Sequence, residues 1–356
     1  MKKLKKIIPF VVLSAGLLTG CFKGKEDVKT VEEIKVPKAT KELNIYTERH
    51  YDIDKELIAE FEKETGVTVN VAKAGSDELL KKLEIEGKDT PADLFITKDA
   101  ARLGRAKDLG LLQPIKDKEI LEAVPANIRD KDNYWTSFTY RARILAYNKD
   151  TTDPSIFSTY EDLADPKWNG KILVRSSTNS YNQALIASMI AANGEEATRE
   201  WIKGLTANMA RTPKGNDRDQ SKAVIAGIGE VAIMNSYYLG KMIHSADPEE
   251  RKVGEQIAIF FPNQKGRGTH INVSGMGITK YSKNIVNAEK FIKFFLSEKS
   301  QSRFTNENYE YPSNKNVEIN GTVKSWGDFK IDDLTLSELG KNLKKGTIMA
   351  DEEGWK

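Results

Sequence analysis

Between residues 43 and 97 the chain alternates between two hydrophobic periods. Leu43 and Ile45 lie two apart in a short strand-like run over residues 43–46, and Ile53, Leu57, Ile58 and Phe61 then recur at helical spacing until Gly66 stops the run. Residues 67–71 are β-branched and strand-like, a helix through Leu79, Leu80 and Leu83 ends near Gly87, and Pro91 introduces a strand over 93–97. Further strands are predicted over 171–174, 231–234 and 257–261, with a Gly-rich extended return over 273–278. Helices are predicted over 182–192, 195–205, 221–226, from about Tyr238, over 288–296 and over 334–343. This alternation marks an α/β sheet, and no internal repeat of fixed period accompanies it.

The amino terminus follows a different pattern. Lys2, Lys3, Lys5 and Lys6 precede an apolar run over 7–18, and Leu18-Thr19-Gly20-Cys21 follows. That is a secretory signal, too short and wrongly flanked for a spanning helix. Its end resembles a bacterial lipobox, which implies cleavage that leaves Cys21 as a lipid-bearing amino terminus. The expectation is a signal peptide over 1–20 and a lipidated tether over 21–41, rich in Lys, Glu and Val and without apolar periodicity. The chain would then be exported and anchored to the cell membrane on its extracytoplasmic face.

That reading changes two others. The formal charge of +3 includes the four lysines of the removed segment, so the remaining chain sits near −1 and carries no basic stripe for nucleic acid. Cys21 is the one cysteine, so the folded part has none, which excludes disulfides, zinc-thiolate clusters, iron–sulfur centres and cysteine nucleophiles. About 315 residues remain, enough for two lobes of ordinary size.

Three strand ends carry the chemistry. His50-Tyr51 closes the first strand, Ser176-Ser177-Thr178-Asn179-Ser180-Tyr181 follows the strand over 171–174, and Asn235-Ser236-Tyr237-Tyr238 follows the strand over 231–234. Taken singly, each reads as capping or packing. Together they deliver four tyrosines and a histidine, and phenolate oxygen is a hard anionic donor suited to a hard trivalent cation. His244 and His270 read as surface or packing residues. Zinc spacings and Walker or Rossmann loops are absent, and Gly275-Met276-Gly277 reads as a close-packed backbone crossing.

Three phrases carry a family likeness: Ala92-Asp93-Leu94-Phe95-Ile96-Thr97, Leu163-Ala164-Asp165-Pro166-Lys167-Trp168-Asn169-Gly170-Lys171, and Glu230-Val231-Ala232-Ile233-Met234-Asn235. In order and spacing they resemble the type II periplasmic solute-binding proteins of ABC importers, and most closely the ferric-iron-binding branch. The likeness runs from about Leu43 to about Tyr311. It implies a two-lobe α/β fold with crossover hinge strands and a central ligand cleft, with lobe 1 over 42–139 and 264–356 and lobe 2 over 140–263.

The same resemblance implies a non-enzymatic, monomeric carrier that hands its ligand to an ABC permease and its ATPase. Matched by position, His50, Tyr51, Tyr181, Tyr237 and Tyr238 would hold Fe³⁺. Arg141 would balance the phenolates or hold a small synergistic anion such as carbonate. Two other readings stay open. An oxyanion or small organic solute could occupy the same cleft, since Ser176, Ser177 and Arg141 suit an oxyanion. A cell-surface hydrolase is the other, though no Gly-x-Ser-x-Gly elbow and no His near a Ser/Asp pattern supports it.

Overall fold

The computed structural model describes residues 41–356. The expected signal peptide, Cys21 and all but the last residue of the expected tether lie outside the described residues.

Among the described residues the strands are β1 (Glu42–Thr47), β2 (Thr68–Lys73), β3 (Leu94–Thr97), β4 (Leu112–Gln113), β5 (Thr136–Asn148), β6 (Ile172–Leu173), β7 (Val231–Asn235), β8 (Ile257–Phe260), β9 (Ile271–Thr279) and β10 (Tyr311–Pro312). The helices are α1 (Asp52–Thr65), α2 (Ser76–Glu86), α3 (Ala100–Asp108), α4 (Lys118–Ala123), α5 (Ser180–Asn193), α6 (Glu195–Ala207), α7 (Asp217–Ile225), α8 (Tyr237–Ile243), α9 (Pro248–Gln256), α10 (Ile285–Leu296), α11 (Glu298–Glu307), α12 (Gly321–Lys324) and α13 (Leu343–Glu352). The α/β class read from the alternation holds.

Strands run in the order β2-β1-β3-β9-β5-β7-β6, with β4 on β9 and with β8 and β10 on β5. The outer pairs β1–β2, β1–β3 and β6–β7 are parallel, and the central pair β5–β9 is antiparallel. The 13-residue β5 is the shared strand. Its first half bonds to β9 and β10, and its second half bonds to β7 and β8. Such a strand is covered on both faces, which is why it reads as a nearly unbroken buried run instead of alternating.

Helices α1, α3 and α10 cover the sheet around β1, β3 and β9, where Leu57, Phe61, Phe95 and Phe291 form one core. Trp168, Leu185, Trp201 and Ile233 form a second, and Ile144, Val224, Met234 and Leu239 a third. Helix α1 ends where its amphipathic stripe does, with Gly66 at φ 68° donating its N–H to Glu62 O at 2.9 Å. The single helix predicted over 334–343 is instead a 3₁₀ segment, Leu336–Asn342, followed by α13. Gly340 lets the 3₁₀ turn press against the backbone of Ala101, and the chain then turns to lay α13 on α5 and α6, with Met349 and Trp355 in the second core.

Three strand-to-helix connections place the candidate residues beyond the carboxyl ends of β1, β6 and β7. In open α/β sheets that is where ligands sit.

Candidate functional site

Tyr51 stands at the start of α1 with extended backbone, φ −72° and ψ 150°, so the chain turns there from strand to helix. Its ring is backed by the Arg49 guanidinium, 4.6 Å from the ring centre. On the opposite side of the cleft, the Asn179 side chain caps α5 by accepting from the Tyr181 N–H at 3.1 Å. That cap fixes Tyr181 in the first turn of α5, one step further into the helix than the sequence suggests. Tyr237 and Tyr238 open α8 directly after β7, so both point to the same side although they are adjacent.

The phenols converge. The Tyr51 hydroxyl lies 3.3 Å from that of Tyr181 and 3.2 Å from that of Tyr237. The Tyr237 and Tyr238 rings lie 4.1 Å apart at 35°, and Tyr51 meets Tyr237 edge-on. Tyr181 and Tyr237 are almost completely buried, at 2% and 1% exposure. All four face a cleft of about 440 Å³ that His50, Lys98, Arg175, Arg218 and Lys241 also line.

Arg141 on β5 lies directly behind the cluster and is fully buried. It donates to Tyr181 Oη at 3.4 Å, to Ser274 Oγ at 2.6 Å and to Lys98 O at 3.1 Å, and it pairs with Glu310 at 3.2 Å. Its guanidinium is 5.3 Å from the Tyr181 ring centre and 5.9 Å from that of Tyr237. Lys241 approaches from the solvent side, 4.9 Å from the Tyr51 ring centre and 5.6 Å from that of Tyr237.

This arrangement divides the phenols by acidity. Burial pushes Tyr181 up, but the Arg141 guanidinium and the Lys98 ammonium more than offset it, leaving Tyr181 more acidic than an ordinary tyrosine. Burial, and then the neighbouring Tyr181 charge, hold Tyr51, Tyr237 and Tyr238 in the protonated form. Four phenolates packed this closely repel one another, and a multivalent cation at their centre removes that repulsion. Among the described residues no group of three or more His, Cys, Asp or Glu is placed to bind a metal.

Of the residues singled out from sequence, the structure brings Tyr51, Tyr181, Tyr237 and Tyr238 together and sets Arg141 behind them. His50 lies at the exposed rim, its ring stacked on Tyr51 at 5.3 Å and its Nδ1 3.4 Å from Glu48 O. His244 is exposed and stacks on Tyr309, and His270 is buried. Sequence reasoning did not find Arg49, Lys98, Arg175, Lys241, Ser274 or Glu310. Each is an ordinary polar residue without a local motif, and only the fold makes them neighbours.

A family model described as bacterial extracellular solute-binding protein matches residues 56–331. Iron uptake protein A1 of Synechocystis sp. is 45% identical over 347 residues, covering 97% of this chain and 95% of that protein. Among solved structures, a ferric binding protein from Campylobacter jejuni is 46% identical, with TM-score 0.83, covering 88% of this chain and all of that one. The Trichodesmium protein solved in complex with iron and citrate ligands is 44% identical, with TM-score 0.82 and the same coverage.

Proposed function

The chain belongs to the bacterial extracellular solute-binding protein family, and from that premise we propose that it captures ferric iron in the tyrosine-lined cleft and delivers it to an ABC permease. In this reading Tyr51, Tyr181, Tyr237 and Tyr238 bind Fe³⁺ as phenolates, and His50 turns inward from the rim to join them.

One observation carries the reading: the Tyr51 hydroxyl sits 3.2–3.3 Å from two other phenol oxygens drawn from separate parts of the chain. A small octahedral cation with bonds of about 2.0–2.1 Å holds adjacent oxygens about 3 Å apart, close to the spacing already present. At these distances the protonated phenols also satisfy one another by hydrogen bonding, so the same spacing serves the protein without a guest. Phenolate is a hard donor, and a hard trivalent ion is the fitting guest.

Fe³⁺ with four phenolates carries a net negative charge, which Arg141 behind the cluster offsets without itself touching the ion. Lys98, Arg175, Arg218 and Lys241 around the opening would receive an anion such as carbonate, or the carboxylates of a ferric chelate. Tyr51 comes from the β1 side of the sheet, and the other three tyrosines come from the β6–β7 side. The ion would therefore favour the arrangement that brings the two sides together, with β5 and β9 as the strands that flex. The exported chain would be held at the membrane through a lipid on Cys21, a claim that mass spectrometry of the mature amino terminus tests.

The test of the function is thermal unfolding with and without one equivalent of ferric citrate, against citrate alone. A rise in melting temperature with iron, scaling with iron concentration, is the expected result. A rise with citrate or phosphate alone favours an oxyanion ligand in the same cleft.

A further inference from the structure

A buried charge network behind the tyrosines joins both sides of the cleft. The fully buried Glu310 pairs with Arg141 at 3.2 Å and with Arg49 at 3.5 Å, and accepts from Asn308 at 2.6 Å. Ser274 on β9 is a second common anchor, its Oγ accepting from both guanidiniums. Arg49, also held by Asp54, backs the Tyr51 ring; Arg141 donates to the Tyr181 hydroxyl. The guanidiniums behind the two sides of the site thus meet at Glu310 and Ser274.

Local structure explains how Glu310 reaches that point. Strand β10 pairs antiparallel with β5 with Tyr311 opposite Tyr140, which sets Glu310 opposite Arg141. Its neighbour Tyr309 has φ 56°, a left-handed conformation rare for a tyrosine. The Tyr309 ring stacks on His244 at 5.0 Å and 4°, and it lies against Gly240 of α8 so closely that any Cβ there would collide with it. Helix α8 carries Tyr237 and Tyr238. Residues 308–310 therefore touch the arginine behind Tyr51, the arginine behind Tyr181 and the helix of the tyrosine pair. Backbone strain of this kind persists where its surroundings over-determine it.

We propose that Glu310 is the positioning residue of the phenol site: one carboxylate spaces Arg49 and Arg141, and through them sets Tyr51 on one side against Tyr181 on the other. This rests on the ferric reading above. A glutamine cannot substitute, because its amide offers one acceptor oxygen and turns an NH₂ toward the second guanidinium. By charge alone the carboxylate acts on the ferric site with both signs, repelling the phenolates and attracting the Fe³⁺, so loss of that charge by itself changes affinity little, whereas loss of positioning weakens binding and shifts the band.

The experiment measures ferric affinity by competition with citrate, and the position of the phenolate-to-iron absorption band, for wild type, Glu310→Gln, Glu310→Asp, Ser274→Ala and Leu205→Ala. Leu205 is buried in the second core and remote from the network, so Leu205→Ala reports stability loss alone. The expected result is binding weakened about ten- to a hundredfold in Glu310→Gln with a shifted band, partial recovery in Glu310→Asp, a smaller loss in Ser274→Ala, and unchanged affinity in Leu205→Ala despite a lower melting temperature. Glu310→Gln binding as tightly as wild type or tighter overturns the assignment, as does an equal affinity loss in Leu205→Ala. Should Glu310→Gln not fold, wild-type affinity and band in both Glu310→Asp and Ser274→Ala overturn it. A wild type without the band sinks the ferric reading and this assignment with it, whereas a coloured wild type with unaffected variants sinks the assignment alone.

Discussion

The hydroxyl of Tyr51, on the turn into α1, lies 3.3 Å from the hydroxyl of Tyr181, in the first turn of α5 and 130 residues further along the chain. No one connection gathers the four phenols; the fold does, by placing the ends of β1, β6 and β7 around a single cleft.

The first expectation concerns Tyr237, whose hydroxyl completes the cluster at 3.2 Å from Tyr51. Tyr237→Phe keeps the ring and its packing but removes the donor, so ferric affinity should fall by more than about a hundredfold, the upper range for losing a mere outer partner of a metal site. Tyr134→Phe is the comparison, since that ring sits under Lys107, away from the cleft. Equal losses in the two variants, by ferric titration, would count against the site.

Arg141→Gln should be costly before any iron is added. Glu310 would remain fully buried with Arg49, at 3.5 Å, and the neutral Asn308 amide, at 2.6 Å, as its partners. Removing one partner of a buried pair costs about 3–5 kcal/mol, to be read from the midpoint of denaturant unfolding in the iron-free protein. A midpoint like that of wild type would show that the pair is not needed for folding.

How much of this was visible in the sequence differs from element to element. Strand β1 and helix α1 were legible because Leu43, Ile45, Leu57 and Phe61 bury one face in a regular period. Helices α9 and α11 left no such trace: in Pro248–Gln256 and Glu298–Glu307 nearly every residue is polar, and Phe304 alone anchors α11 in the core. The four tyrosines announced themselves by recurring at strand ends. Arg49, Ser274 and Glu310 did not, since Ser274 and Glu310 lie 225 and 261 residues from Arg49 and no local period links them.

Gly240 gives a packing test that leaves the four tyrosines unaltered. In Gly240→Ala the new methyl meets the Tyr309 ring, which is pinned by its stack on His244. Overpacking of this kind costs about 1–3 kcal/mol. A melting temperature equal to or above that of wild type would mean that the Tyr309 strap yields easily.

His270 sets an acid limb for stability. Burial, with the Arg267 and Arg143 guanidiniums nearby, lowers its pKa from 6.5 to about 3. The unfolded chain therefore binds a proton that the folded protein refuses, between those two values. The stabilisation is fully present above pH 6.5 and is lost as pH falls toward 3. By about pH 5 the loss should reach roughly 2 kcal/mol. In His270→Gln the stability should change less with pH over that range; an unaltered slope in urea unfolding would place the acid sensitivity elsewhere.

The central claim is that the four phenols bind ferric iron as phenolates, and the visible absorption spectrum before and after one equivalent of ferric citrate tests it most directly. The expected result is a red to orange protein, from phenolate-to-iron charge transfer, with the colour lost or strongly shifted in Tyr181→Phe and Tyr237→Phe. A protein that stays colourless, with no iron-dependent change in melting temperature, contradicts the account and moves the cleft to an oxyanion or organic ligand.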